Sequence, residues 1–484
     1  MKYAFETGCL IVAVFVQVAP LASAAPRADR PNVILMMADD MGWGDPAYMG
    51  NRHIRTPALD AMAGAGLRFN RFYAAGPVCS PTRGSCLTGR HPYRYGIYSA
   101  NVGHLPDEEI NLAELLRARG YRTGHFGKWH LGTLTRTVKD SNRGGPRGVA
   151  HYAPPWERGF DVCFSTEAKV PTFNPMTKPD ADTPYGTAYW NTDGTRADNN
   201  LEGDDSRVIM DRVIPFVRDA VKRKRSFFAV VWFHAPHLPT VAGPDKLELY
   251  AEYAENTRHY YGCITALDEQ VGRIRGELRA LGVADNTMLW FCSDNGPEGR
   301  AGRAPGSAGA LRGRKRSLYE GGIRVPALLE WPARMRMPRA TDVPACTSDF
   351  LPTILDALGV KPPDDRPLDG VSLLPLIDGT MKQRPRPIAF ESAGQYALIG
   401  NRYKLLHVPT NRRRTGGRRR TPPLAAPDAR FQLFDLRADP AEQTDLADAH
   451  PDIVRQMTAV FRAWQISCRN SLNGHDYGKT GRSQ

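Results

Sequence analysis

The sequence predicts an α/β protein: a large, mostly parallel sheet sandwiched by helices, followed by a small carboxyl-terminal antiparallel sheet with one helix. Three observations predict it. Apolar runs of strand length alternate with helix-length amphipathic stretches through most of the chain. Polar residues able to carry chemistry stand directly after those apolar runs, where open parallel sheets bind their ligands. From about Pro385 the character changes to short strands in succession.

Residues 32–37, with Val33, Ile34 and Leu35, read as a strand buried on both faces that ends at Asp39 and Asp40. Thr56 is placed to cap a helix that Pro57 starts, with Leu59, Met62 and Ala63 as its apolar stripe. Residues 67–73 return as a strand. A helix over 111–119 stops at Gly120 and precedes a strand over 123–126. The stretch 133–204 is rich in Gly, Pro, Asp and Thr without periodicity, and a loop of that length is expected to carry substrate recognition. A helix over 206–222, bent at Pro215, leads to the strand 227–233, which His234 and His237 follow. A helix through 260–281 leads to the strand 287–292, with Asp294 and Asn295 after it. In the tail, strands over 388–391, 396–399, 403–408 and 431–434 precede a helix over 453–464.

Residues 1–24 read as a secretory signal peptide. Lys2 precedes an apolar run over 9–18, and Ala22-Ser23-Ala24 fits a cleavage site. A membrane anchor is the alternative, but the run is short for a bilayer. The expected organisation is a signal peptide over 1–24, a large α/β domain over 25–384 and a smaller subdomain over 385–484, in an exported, periplasmic or secreted protein. No later segment is long and apolar enough for a membrane helix, so no membrane contact is expected after cleavage.

The 64 Lys and Arg against 51 Asp and Glu leave a net charge of +13, which suggests a polyanionic partner. Lys222-Arg223-Lys224-Arg225 ends a helix, where cations suit the dipole. Arg412-Arg413-Arg414 and Arg418-Arg419-Arg420 flank Thr415-Gly416-Gly417, as either a solvated insertion or a polyanion-binding loop. Cys9 leaves with the signal peptide. Cys86, Cys163, Cys263, Cys292, Cys346 and Cys468 are scattered without CxxC spacing, which argues against zinc and leaves disulfides or buried thiols open.

The most informative stretch is Cys79-Ser80-Pro81-Thr82-Arg83, continued by Gly84-Ser85-Cys86-Leu87-Thr88-Gly89-Arg90. Asp39, Asp40, Asp294 and Asn295 form an oxygen set suited to a hard cation once strand ends bring them together. Lys128 lies in Gly127-Lys128-Trp129-His130-Leu131-Gly132 and His237 in Ala235-Pro236-His237. Lys315 closes Leu311-Arg312-Gly313-Arg314-Lys315, shortly before Glu320-Gly321-Gly322-Ile323-Arg324-Val325-Pro326.

In this order, and with Asp39-Asp40-Met41-Gly42-Trp43-Gly44-Asp45 and Phe434-Asp435-Leu436 at the two ends, these motifs resemble the type I, formylglycine-dependent sulfatases. The resemblance covers almost the whole mature chain and implies an alkaline-phosphatase-like fold. It implies that Cys79 is oxidised to formylglycine by a maturation enzyme, and that calcium is held by Asp39, Asp40, Asp294, Asn295 and residue 79. Arg83 and Lys128 would stabilise the hydrated aldehyde, and Lys128 and Lys315 would grip the sulfate. His237 would bind it too and protonate the departing oxygen, while His130 would take a proton from the sulfated hydrate to release sulfate. Thr82 stands where the family most often has serine.

The expected activity is hydrolysis of a sulfate ester, with a sulfated carbohydrate as substrate and no nucleic acid as partner. Two rival readings remain at this level. One is a phosphonate monoester or phosphodiester hydrolase on the same scaffold; the other is a non-catalytic polyanion-binding protein in which Cys79 stays a thiol.

Overall fold

The computed structural model describes residues 30–409, 424–425 and 429–477. The expected signal peptide over 1–24 and the arginine run 412–420 lie outside the described residues.

A nine-stranded sheet organises the chain. Its order is Arg339–Thr341, Leu67–Phe69, Ala327–Glu330, Thr287–Ser293, Asn32–Ala38, Phe227–Trp232, Arg122–Lys128, Val162–Thr166 and Tyr189–Asn191. The five strands from Thr287–Ser293 to Val162–Thr166 run parallel. Ala327–Glu330 and Tyr189–Asn191 flank them antiparallel.

The central strand shows why the sequence selects this arrangement. Val33, Leu35 and Met37 enter the core on one face, while Ile34, Met36 and Ala38 enter the core on the other. Successive strand side chains point to opposite faces, so an unbroken apolar run is stable only between two layers. One layer holds the helices Asp205–Lys222 and Glu255–Ala280, the other Cys79–Thr88, Leu112–Arg117 and Phe350–Ala357.

Local signals and outcomes differ at three places. The helix Pro57–Ala63 begins as expected, but Thr56 does not cap it. Thr56 Oγ1 accepts from Ala47 N and donates to Asp60, and the free amides of Ala58 and Leu59 are taken by Asp268, 2.9 and 2.8 Å away. Residues 67–73 split into Leu67–Phe69 and Phe72–Tyr73, which belong to different sheets. The stretch 133–204 is not one long loop. It contributes Val162–Thr166 to the parallel core of the main sheet and Tyr189–Asn191 to its edge.

The tail forms the expected antiparallel sheet, Ile388–Ser392, Gln395–Ile399, Tyr403–His407 and Gln432–Asp435, with the helix Pro451–Leu472. One face shares a core with Tyr73, Ile323 and Cys346 from the larger part of the chain. The other face packs on Phe461 of the helix. The cysteines among the described residues are all buried and unpaired, and no described helix is long and apolar enough to cross a membrane.

A buried charge cluster joins the tail sheet to the rest. Lys404 Nζ lies 3.0 Å from Glu320 and 2.8 Å from Glu442, all with fully buried side chains, and Tyr73 donates to Glu320 at 2.9 Å. Removing the cation would leave two carboxylates facing each other without water. Lys404→Met is therefore expected to destabilise the protein by about 3–5 kcal/mol, read as a lower urea midpoint; an unchanged midpoint would show that the cluster holds nothing together.

Candidate active site

The carboxyl ends of four adjacent strands converge on one buried cluster. Asp39 and Asp40 follow Asn32–Ala38, Lys128 ends Arg122–Lys128, His237 follows Phe227–Trp232, and Asp294 and Asn295 follow Thr287–Ser293. A regular strand would turn Asp39 and Asp40 to opposite faces. Asp40 instead adopts a φ of +70°, which breaks the alternation. Carboxylate oxygens of both residues then lie within 4.8 Å of Cys79 Sγ and a ring nitrogen of His237.

Backbone bonds lace these loops together. Asp39 N donates to Ala235 O at 3.0 Å, Asp40 N to Asp294 Oδ1 at 3.0 Å and Met41 N to Ser293 Oγ at 3.0 Å. Asn295 Nδ2 donates to Asp40 Oδ1 at 2.7 Å, while Asn295 Oδ1 is buried without a partner.

Cys79 is the first residue of Cys79–Thr88, a helix buried along its whole length, and its Sγ lies 3.6 Å from Asp39 Oδ1. Arg83, one turn on, is fully buried. It reaches Asp294 Oδ2 at 2.8 Å, Asp39 Oδ1 at 3.5 Å and Lys128 O at 3.2 Å, and lies 5.2 Å from the Trp232 ring centre. Gly84 lets the helix approach Tyr95, whose hydroxyl would stand 2.5 Å from an added Cβ.

The lysines cap the two carboxylates. Lys128 Nζ is 2.5 Å from Asp39 Oδ2, and Lys315 Nζ is 2.6 Å from both oxygens of Asp40. His237 Nδ1 is 2.6 Å from the carbonyl of Leu238, so that nitrogen carries the hydrogen; Nε2 faces Asp40 Oδ2 at 3.6 Å. His130 stands one step out. Its Nε2 meets Asn101 Oδ1 at 2.9 Å, and its Nδ1 is buried without a partner.

Burial opposes every charge here, and the neighbours decide which charges persist. On Asp39 the desolvation is outweighed by Lys128, His237, Arg83 and Lys315, which hold its carboxyl well below the usual range. Burial, together with Asp39 and Cys79, pushes Asp294 well above it. On Lys315 burial is outweighed by Cys79, Asp40, Asp39 and Asp294, which raise its pKa. Burial lowers that of His237, with Asp39 and Asp40 opposing, and burial with Lys128 and Arg83 lowers that of His130.

The residue set fits a hard divalent cation. The buried, unpartnered Asn295 Oδ1 is an amide oxygen ready to ligate, and the excess negative charge felt by Asp294 is what such an ion relieves. His237 Nε2 also approaches the oxygen set, an arrangement the sequence reading did not include. His234, flagged beside His237, lies elsewhere: it is fully buried between Asp205 Oδ2 and Thr166 Oγ1, each 2.8 Å away.

Sequence reasoning missed the residues that brace this cluster. Glu298 bridges Lys315 at 3.3 Å and Arg316 at 2.5 Å. Asn101 holds His130, and Trp232 lies under Arg83. Asp45 accepts from Gly42 N, Ser307 N and Tyr260 Oη at 2.6–2.7 Å and fixes the loop after Asp40; burial raises its pKa to about 7. Asp45 closes the opening motif and Trp232 stands just before Ala235-Pro236-His237, which was a usable signal, whereas nothing in the sequence pairs Asn101 with His130.

Residues 31–360 match the sulfatase family model, and residues 313–414 match that of the N-sulphoglucosamine sulphohydrolase carboxyl-terminal region. The chain belongs to the sulfatase family. Human arylsulfatase A is 33% identical over 469 residues, covering 90% of this chain and 88% of its own. Human N-acetylgalactosamine-6-sulfatase is 34% identical over 388 residues, covering 75% and 69%. The crystal structure of Ps i-CgsB in complex with k-i-k-neocarrahexaose superposes with a TM-score of 0.76 at 26% identity, covering 90% of this chain and 93% of that one. The phosphonate monoester hydrolase of Agrobacterium radiobacter shares the fold, with a TM-score of 0.59 at 20% identity over 92% of this chain and 96% of that one. This sulfatase is therefore a sulfuric ester hydrolase on an alkaline-phosphatase-like scaffold.

One glycine sets the position of Lys128 in this sulfatase. Gly127 has a φ of +98°, and an added Cβ would lie 1.9 Å from Trp232 O on the neighbouring strand. Gly127→Ala must push apart the strands that deliver Lys128 and His237. A roughly 10²-fold loss of kcat/KM on an aryl sulfate is expected from the misplacement; wild-type kinetics would show that the strand pair adapts.

Proposed function

We propose that this sulfatase hydrolyses a sulfate ester of a carbohydrate, using formylglycine at position 79 and a calcium ion held by Asp39, Asp40, Asp294, Asn295 and residue 79. The observation that carries the reading is Cys79 at the head of its buried helix, 3.6 Å from Asp39, inside a ring of Arg83, Lys128, Lys315 and His237. The carbohydrate class rests on the N-acetylgalactosamine-6-sulfatase relatives and on the neocarrahexaose complex of the structural neighbour.

The modified side chain supplies a hydrated aldehyde hydroxyl as nucleophile toward sulfur, and the ion supplies a Lewis acid for sulfate oxygens. The remaining work falls to this chain's own groups. Three cations, Arg83, Lys128 and Lys315, face the carboxyls of Asp39, Asp40 and Asp294, the last with its pKa raised. A divalent ion held there would add further positive charge, suited to an anionic ester and its dianionic product. Lys128 and Lys315 hold the sulfate oxygens. Arg83, fixed between Asp294 and Asp39, keeps a cation beside residue 79. His237, with its hydrogen on Nδ1 committed to Leu238, takes up a proton at Nε2 and delivers it to the leaving oxygen; the arriving sulfate favours that imidazolium. His130 accepts a proton when sulfate departs.

Residues 1–24 would direct export to the periplasm or the medium, where a maturation enzyme has already acted on Cys79. The catalytic domain then spans 25–384 and the antiparallel subdomain 385–484. The phosphonate hydrolase alternative has fold likeness alone behind it.

Mass analysis of the peptide carrying residue 79 tests the reading, with formylglycine expected. A thiol in fully active protein overturns it, and Cys79→Ala should abolish turnover with the fold intact. Asp294→Ala is expected to lose the bound ion, measured by metal analysis, together with most activity; an ion retained at full stoichiometry would place the ligands elsewhere. His237→Ala should cost roughly 10²- to 10⁴-fold on a sugar sulfate, whose alkoxide needs a proton, and far less on nitrophenyl sulfate. Equal losses on both substrates would make His237 a binding residue only.

A further inference from the structure

A second basic site lies at the same end of the main sheet, away from the catalytic cluster. A cleft of about 730 Å³ opens between the edge strand Arg339–Thr341 and the turn after Gln432–Asp435. Its walls carry Arg71, Arg324, Arg339, Lys382 and Arg437 against one carboxylate, Asp342. That volume falls within the usual range for small-ligand sites.

The cationic charge is held in place and only partly cancelled. Arg71, 4% exposed, donates to the carbonyls of Asn401 and Gly400 at 2.7 and 3.2 Å, and its Nε has no hydrogen-bond partner. Arg339 donates to the carbonyls of Leu376 and Ile377. Neutral carbonyls orient a guanidinium without neutralising it. Arg324 is 3.5 Å from Glu320 and is balanced within the cluster of Glu320, Glu442 and Lys404, which leaves Arg71, Arg339, Lys382 and Arg437 as the cleft's surplus. Asp342 accepts from Asn70. Lys382 and Arg437 are exposed at the mouth. Planar forks held open in this way suit sulfate or carboxylate oxygens.

Strand order places the cleft relative to the catalytic cluster. Leu67–Phe69 and Arg339–Thr341 run in the same direction as Asn32–Ala38, so Arg71 and Asp342 lie at the same end of the sheet as Asp39. The edge strand is four positions from the central one, a lateral offset of roughly 19 Å. An extended saccharide can span that distance.

We propose that this cleft is a non-catalytic anchor for a second sulfated segment of the substrate, engaged while the catalytic cluster holds the scissile ester. This rests on the carbohydrate reading above. Binding at both places raises the effective concentration of the chain at the catalytic cluster without any added contact there.

The test pairs Lys382→Glu with Arg437→Glu in Cys79→Ala protein and titrates short-chain dextran sulfate and, separately, inorganic sulfate by calorimetry. At low salt the charge-reversed protein should bind dextran sulfate roughly tenfold more weakly than its parent, with the gap closing as salt rises. Lys382→Arg with Arg437→Lys should retain the affinity. With Cys79 intact, the charge-reversed enzyme should hydrolyse nitrophenyl sulfate at the parent rate. Equal dextran sulfate affinity in parent and reversed proteins overturns the proposal. Inorganic sulfate bound as tightly as dextran sulfate, and weakened equally by the reversal, overturns it in favour of a free-anion site. Cleft-dependent dextran sulfate binding in a parent that turns over no carbohydrate sulfate would sink the carbohydrate reading and leave the cleft standing.

Discussion

Everything at the candidate active site of this sulfatase depends on balanced charge out of water. Asp39, Asp40 and Asp294 cannot stay ionised together in a dry site unless cations stand against them. Arg83, Lys128 and Lys315 stand against them at 2.5–3.5 Å, each from a different element, and hold Asp39 ionised while Asp294 is still pushed above the usual range. The cost of leaving any one carboxylate unpaired ties the helix Cys79–Thr88, the strand Arg122–Lys128 and the loop of Lys315 to the central strand. Stability and chemistry therefore draw on the same contacts.

The sheet makes this assembly possible. Parallel neighbours bring their carboxyl ends to one rim, so the residues that follow four strands meet although they are far apart in sequence. Three backbone features refine the convergence. The left-handed turn at Asp40 aligns two successive carboxylates, the bare backbone of Gly127 at a φ of +98° lies against Trp232 O, and the φ of +57° at His130 turns the chain away from the strand direction. Asp45 and Glu298 then hold the loops that carry Asp40 and Lys315. A second charge cluster, Lys404 with Glu320 and Glu442, repeats the same device to join the tail sheet to the main body.

The parts of the fold that were legible in the sequence share one property: local pattern and tertiary demand agree. Residues 33–37, 227–233 and 288–292 are unbroken apolar runs, and a run that needs two covering layers reads as a central parallel strand. The tail strands and the helix Pro451–Leu472 were legible for the same reason. Val162–Thr166 was hidden because two of its five residues, Ser165 and Thr166, are polar. They are buried through specific bonds, Ser165 Oγ to His125 and Thr166 Oγ1 to His234. Thr56 misled as a cap because Asp268, distant in sequence, takes the helix amides first.

The sequence by itself determined which groups are available: the cysteine-proline-arginine motif, the oxygen donors, the lysines and the histidines. It determined their order along the chain and the sheet that would gather them, because hydrophobic periodicity is a local property. Only the tertiary structure decided who meets whom. It put Asn295 Oδ1 into the cluster without a partner, sent His237 to Asp40 and His234 to Asp205, gave His130 to Asn101 and placed Trp232 beneath Arg83. Those choices rest on desolvation and on distances across strands, and neither quantity exists until the chain has folded.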